Sequence, residues 1–160
     1  MSFTKKLLLA LLLALPLPFD AQTIDTSLFG MSCHEALAAL EKEFGKPKAT
    51  TDEKLSYSNI QYEGVVWDEA YFMFRDSKLC EVRMYKRQGR KANAVQGVRT
   101  VARNMGAKHV VTKDLEEDGT PFYKGGKTPV DFGHLFTIYA SPYKGAWSTQ
   151  LRFGPFSFRK

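Results

Sequence analysis

The stretch SCHEALAALEKEFGKP, residues 32–47, decides how the chain folds. Ser32 can cap a helix, with Glu35 three residues later to complete a capping box. Gly45 and Pro47 are typical of a helix end. Between these signals, apolar residues recur at the spacing of a single helical face: Cys33, Leu37, Leu40 and Phe44. The stretch therefore predicts one amphipathic helix that needs a surface to pack against.

Three strand-like segments follow this helix, at residues 55–62, 65–75 and 79–86. Apolar and other residues alternate in the second and third segments, as expected for strands with one buried face. Residues 76–78, DSK, form a turn between them. The first part of the chain therefore reads as a helix followed by three antiparallel strands.

The same order returns further along the chain. Shifting the first helical pattern by 61 positions places it on these residues: Ala94, Val98, Val101, Met105 and the terminating Gly106. Residues 135–140 and 147–153 then read as strands, and LRF at 151–153 repeats VRM at 82–84. A longer loop is expected around 116–126. Two such signals predict an internal duplication.

The predicted fold is α+β: two tandem helix–three-strand units form one antiparallel sheet with both helices packed on one face. Repeat one spans about 31–87 and repeat two about 92–154. The other face of the sheet is left open to solvent.

The first 21 residues are expected to be a signal peptide rather than part of the fold. Lys5 and Lys6 precede an apolar run, 7–15, that is too short to span a bilayer. Cleavage near Ala21 would leave one globular domain, 22–160, without a transmembrane segment, in the periplasm or secreted. The formal net charge of the full chain is +6.

Cys33 and Cys80 have several possible roles. A nucleophile needs a base, but His34 is adjacent in sequence and points about 100° away on a helix. A metal site needs close pairs of ligands, which the chain lacks. Free buried thiols are a third possibility. Both cysteines are predicted to face the helix–sheet interface of an exported chain, so a disulfide is the expected outcome.

The sequence contains no phosphate-binding loop, nucleophile elbow or zinc-protease motif. No cofactor or metal is therefore expected. Basic residues surround the junction of the two halves, from Arg83 to Lys91. Without stacking aromatics they do not indicate nucleic acid. A solvated linker or attraction to an anionic envelope polymer is expected instead.

The open sheet face is the predicted binding surface, because aromatic residues, Met and Arg are enriched at protein interfaces. Strand parity assigns to it Trp67, Tyr71, Met73, Arg75, Arg83, Tyr85, Tyr139 and Arg152, together with Gln150. The expected function is a non-catalytic binding module for a protein or an anionic envelope polymer. The alternative is a small periplasmic enzyme, with His109, His134 and Asp131 in a cleft between the repeats. No oligomeric state is indicated.

The helix end FGKP at 44–47 and the hairpin from YFMF at 71–74 to KLCEV at 78–82 carry a family resemblance. This architecture resembles the β-lactamase inhibitory protein-like family and uncharacterised secreted proteins of Bacteroides-type bacteria. The resemblance covers residues 31–153 and implies one curved sheet built from tandem units. The inhibitor closes short loops with two disulfides, which this chain would not share, so no functional residue is transferred from it.

Overall fold

The computed structural model describes residues 23–159; the predicted signal peptide and its cleavage site lie outside them. A short 3₁₀ helix, Thr26–Leu28, comes first. The two helices are α1 (Cys33–Phe44) and α2 (Lys91–Gly106). The eight strands are β1 (Ala49–Thr50), β2 (Lys54–Tyr62), β3 (Val65–Arg75), β4 (Lys78–Gly89), β5 (Val111–Leu115), β6 (Pro121–Gly125), β7 (Phe136–Tyr143) and β8 (Ala146–Phe153).

All eight strands form one antiparallel sheet in the order β1-β2-β3-β4-β8-β7-β6-β5. Each helix is followed by four strands. The strands of the second half repeat the order of the first half, counted from the opposite edge of the sheet. The last strands of the two halves, β4 and β8, therefore pair with each other at the centre.

Helix α1 begins and ends as the sequence predicts. Ser32 and Glu35 form the capping box, and Gly45 ends the helix with φ 79°, a conformation that glycine adopts without strain. At its C-terminal end the Phe44 ring contacts Tyr57 on β2 and Phe72 on β3, with ring centroids about 6 Å apart. These contacts fix the helix against the first half of the sheet.

Helix α2 packs closely against β4, β7 and β8. Its predicted apolar positions are all buried: Ala94, Val98, Val101 and Met105. At Gly97 the helix approaches β8 so closely that a Cβ atom would lie 2.1 Å from the Thr149 Oγ1 atom. The Thr149 hydroxyl donates to the Ala94 carbonyl oxygen at 2.9 Å. A small residue and a polar anchor together hold this helix on the sheet.

The α+β class and the single antiparallel sheet agree with the sequence prediction. The finer prediction, of two helix–three-strand units with both helices on one face, is wrong. Residues 111–125 form the β5–β6 hairpin where a loop was predicted around 116–126, and the two-residue β1 completes a four-strand set in the first half. The two helices also contact the sheet differently from each other. Helix α2 packs across several strands, whereas the backbone of α1 comes near β4 and its Phe44 ring reaches β2 and β3.

The predicted disulfide is absent, because both Cys33 and Cys80 are free thiols. The cause is a β-bulge in β4: Met73 pairs with Glu81 and Phe74 with Leu79, so Cys80 is the extra residue. This shifts the strand's parity, and Cys80 does not point into the core against which Cys33 packs. Burial raises the pKa of the Cys80 thiol.

Within the described residues, no helix is long and apolar enough to cross a membrane.

Candidate functional site

The open sheet face is arranged in cross-strand rows around the central strands. One row runs through Tyr71, Arg83, Arg152 and Thr137, which are successive partners on β3, β4, β8 and β7. A neighbouring row runs through Glu69, Tyr85, Gln150 and Tyr139. Six of the residues predicted for this face therefore lie together: Tyr71, Arg83, Tyr85, Tyr139, Gln150 and Arg152.

Met73 and Arg75 continue the same face along β3. Met73 pairs with Glu81 and is half-buried, while Arg75 pairs with Lys78 and is exposed. Arg75 lines a separate small pocket with Cys80 and the C-terminal Phe156 and Phe158. Arg75 therefore lies at the margin of the face rather than at its centre.

Trp67 is not on this face, contrary to the sequence prediction. Its side chain is fully buried, and the indole Nε1 donates to the Tyr62 carbonyl oxygen at 3.1 Å. The parity is lost at Asn59, which has φ 53° and interrupts the alternation of β2. Alternation fails at the same place in β3, where Trp67 and Ala70 are both buried. These residues are three positions apart and would point to opposite faces of a regular strand. Trp67 is a core residue.

Two arginines face each other across the centre of the sheet. Arg83 on β4 and Arg152 on β8 are direct cross-strand partners. Both bind the carboxylate of Glu81: Arg83 Nε contacts Oε1, and Arg152 Nη2 lies 2.9 Å from Oε2. The Glu81 side chain is 5% exposed, whereas those of Arg83 and Arg152 are 40% and 33% exposed. A buried carboxylate thus holds two partly exposed guanidinium groups.

The three charged groups sum to one net positive charge. Burial alone would lower the pKa of Arg83, but hydrogen bonds to Glu81 and Tyr85 outweigh it and raise the pKa above its ordinary value. The Arg152 Nε atom is buried and has no hydrogen-bond partner within residues 23–159. We name this group, Glu81, Arg83 and Arg152, the arginine pair site. It remains cationic at every physiological pH.

Three tyrosines lie beside the arginine pair site. The rings of Tyr85 and Tyr143 stack with centroids 3.8 Å apart, and Tyr71 meets Tyr85 edge to face at 6.1 Å. Tyr143 also hydrogen-bonds to Glu69 and Tyr71, and burial with these bonds raises the pKa of Tyr143. Tyr85 is buried, whereas Tyr71 and Tyr143 are half-buried, so the three rings form a packed aromatic wall that is exposed mainly at Tyr71 and Tyr143.

Glu69 connects this wall to the end of the β7–β8 turn. Burial alone would raise the pKa of the Glu69 carboxyl, but hydrogen bonds from Lys144, Tyr143 and Tyr71 outweigh it and hold the pKa below its ordinary value. Glu69 is therefore a carboxylate at neutral pH, and it fixes both Tyr143 and Lys144.

A cleft of about 610 Å³ opens beside the tyrosines. Its charged lining residues are four cations and two carboxylates: Lys48, Lys86, Arg87, Lys144, Asp68 and Glu69. Asp68 pairs with Lys86 at 3.9 Å, and Glu69 pairs with Lys144. Within residues 23–159, the side chains of Lys48 and Arg87 have no carboxylate partner. The cleft is thus open and has excess positive charge.

The residues proposed for an enzyme site do not converge. The His109 ring packs on Phe136, and His134 Nε2 lies 3.0 Å from the Thr137 Oγ1 atom. Asp131 is exposed and lies 3.5 Å from Arg159. In the part of the chain that the structure describes, no group of His, Cys, Asp or Glu side chains could hold a metal ion.

Sequence reasoning missed two residues of the face, Glu81 and Tyr143. Alternation puts Glu81 on the side of Arg83 and Tyr85, but it was not chosen as a binding residue, because its role as the shared partner depends on Arg152 from the other half. Tyr143 falls between the predicted strands 135–140 and 147–153, in residues expected to form a turn, whereas β7 continues to Tyr143 and the turn is at Lys144-Gly145.

No protein-family model, curated protein or solved structure matches this chain. The resemblance to the β-lactamase inhibitory protein-like family therefore remains a prediction.

Proposed function

We propose that this chain is an exported, non-catalytic binding module whose open sheet face contacts a macromolecule, either a protein or an anionic envelope polymer. The arginine pair site is the observation that supports this proposal most directly. Two like charges directly opposite each other destabilise a sheet. Here they occupy its two central strands and remain accessible to solvent.

The rest of the face is suited to the same role. Tyr71, Tyr139 and Met73 are half-buried around the two arginines, and aromatic residues, Met and Arg dominate the energetics of interfaces. The rigid contacts of Tyr71, Tyr85 and Tyr143 reduce the conformational entropy lost on binding. Export is supported by the apolar, Lys-preceded segment that begins the sequence.

The proposal is tested by capturing partners from an envelope extract with immobilised protein. The test variant is Tyr71→Ala with Arg152→Gln, which changes the two cross-strand partners of Arg83 on the open face. The matched control is Thr112→Ala with Lys113→Gln on the exposed edge strand β5. We expect wild type and control to retain the same partner, and the face variant to lose it.

The same complex should reduce hydrogen–deuterium exchange in 69–73, 81–85 and 150–152. Equal retention by all three proteins, or protection confined to α2, would contradict the use of the open face.

A further inference from the structure

We propose that the arginine pair site is a carboxylate receptor, and that it binds an Asp or Glu side chain on an acidic segment of a protein partner. This inference rests on the proposed function and specifies the chemistry of the partner. It begins from the two arginines, which form a site that neither half of the chain contains alone.

The geometry leaves donors free for a ligand. Directly opposite residues of an antiparallel pair lie about 5 Å apart, so both guanidinium groups can reach one acceptor. Glu81 engages Nε of Arg83 and Nη2 of Arg152. Each guanidinium has five N–H donors in a planar fork that matches a carboxylate. Further donors of the exposed groups therefore remain available on the solvent side.

Glu81 is a positioning residue rather than a ligand-binding one. Its carboxylate is buried and is already shared by both arginines. It holds the two arginine side chains in one geometry, which reduces the conformational entropy that they lose when a ligand binds.

The charge of the group favours a monoanion. Two guanidinium groups and one carboxylate leave a net charge of +1, which one further carboxylate neutralises. A phosphate monoester, which carries close to two negative charges at neutral pH, would leave excess negative charge beside the buried Glu81 carboxylate. The site is therefore better matched to Asp or Glu than to a phosphate monoester.

The surroundings of the site favour a protein. Tyr71 is the partner of Arg83 on its other side, and Met73 is the partner of Glu81. A carboxylate on a polypeptide comes with neighbouring side chains and backbone that can pack on these apolar surfaces.

The arrangement also has a cost that Glu81 offsets only in part. Two opposed arginines and one carboxylate keep a net positive charge, and Arg152 Nε is buried without a partner in the described chain. Departures from local stability rules of this kind are expected at functional sites. A ligand carboxylate would compensate the charge repulsion that the folded chain retains.

The experiment measures binding of labelled poly-L-glutamate to the full chain by fluorescence anisotropy. We expect Arg83→Gln and Arg152→Gln each to weaken binding by about tenfold or more, since a hydrogen bond to a charged group is lost. Arg99→Gln and Arg103→Gln, which remove one charge each from α2 outside the face, should change affinity by less than about twofold.

Arg152→Lys separates recognition from charge. Lysine keeps the positive charge but lacks the planar fork, so we expect it to bind almost as weakly as Arg152→Gln. Thermal melts of every variant establish that it is folded. Polyphosphate and polygalacturonate serve as competitors, and poly-L-glutamate should be preferred over both at equal charge concentration.

Several outcomes would overturn the carboxylate inference. Equal losses in the α2 controls would show diffuse charge attraction, and a preference for polyphosphate or polygalacturonate would show a different ligand class. If poly-L-glutamate does not bind but the extract partner is still lost with the face variant, this inference fails and the proposed function stands. If poly-L-glutamate binds but no partner depends on the face, the proposed function fails instead.

Discussion

Arg83 and Arg152 are direct partners on the two central strands, and both bind the buried carboxylate of Glu81. Like charges in this position repel, so the carboxylate is essential to their arrangement. The pair lies where the two halves of the chain meet, so the stability of the sheet centre and the proposed binding surface depend on the same three side chains.

Replacing Glu81 with glutamine should destabilise the fold by about 2 kcal/mol, because a buried charge partner is removed while both arginines remain. The measurement is urea unfolding at neutral pH. The control is Glu117→Gln at the exposed β5–β6 turn, which should change the free energy of unfolding by less than about 0.5 kcal/mol. Similar small effects for both variants would argue against a structural role for the Glu81 carboxylate.

Trp67 and Tyr71, four residues apart on β3, should respond differently to alanine substitution. Trp67→Ala opens a cavity in the core and should cost about 3–5 kcal/mol. Tyr71→Ala removes a half-buried ring from the face and should cost about 1 kcal/mol. Denaturant unfolding distinguishes the two. A Trp67 variant that is nearly as stable as wild type would place this ring outside the core.

Gly97→Ala should destabilise the protein by about 2 kcal/mol, because the new Cβ would overlap the Thr149 hydroxyl that anchors α2. Gly106→Ala is the matched control in the same helix, since nothing lies within 4 Å of a Cβ at that position. The control should be unchanged or up to about 1 kcal/mol more stable. Thermal unfolding of both variants measures the difference, and equal effects would contradict close packing at Gly97.

The stability of the protein should fall in mild acid partly through Glu69. Its pKa in the folded protein is below the ordinary value of 4.5. The carboxylate therefore stabilises the fold above that pH, and the contribution is lost as the pH falls through the lower folded value. Glu69→Gln should flatten the dependence of unfolding free energy on pH between about 5 and 3. Lys144→Gln should act in the same direction, and an unchanged slope in both would contradict the network.

Both cysteines should react as free thiols. Alkylation of the denatured, unreduced protein should label Cys33 and Cys80, and mass spectrometry counts the labels. In the native protein Cys80 should react more slowly than it does after denaturation, because burial raises the pKa of its thiol. A mass consistent with a closed disulfide would contradict the placement of the two sulfur atoms.

Much of the regular structure could be predicted from local patterns. The limits of α1 followed from Ser32, Glu35 and Gly45, and the buried stripe of α2 followed from its match to α1. The β5–β6 hairpin could not be predicted, because β5 is mostly exposed and shows no apolar alternation. Its formation depends on backbone hydrogen bonds to neighbouring strands.

Only part of the candidate face could be predicted. Alternation assigns the sides of a strand correctly where the backbone is regular, and it fails at backbone irregularities. It places Tyr71, Arg83 and Arg152 correctly, but the positive φ of Asn59 and the bulge at Cys80 each reverse the expected side of a strand. Neither irregularity is visible in the alternation of apolar residues along the strand. The pairing of Arg83 with Arg152 needed the sheet order, which no local pattern contains.

One of the differences between the two halves would give the face a direction. Glu81 precedes Arg83 by two residues, and the neutral Gln150 precedes Arg152 by two, with its amide donating to Ser148. Two identical halves would accept an extended ligand equally well in either orientation. Because a carboxylate precedes one arginine and a neutral amide precedes the other, head-to-tail reversal of an extended ligand would be unfavourable, and a bound partner would have a defined polarity.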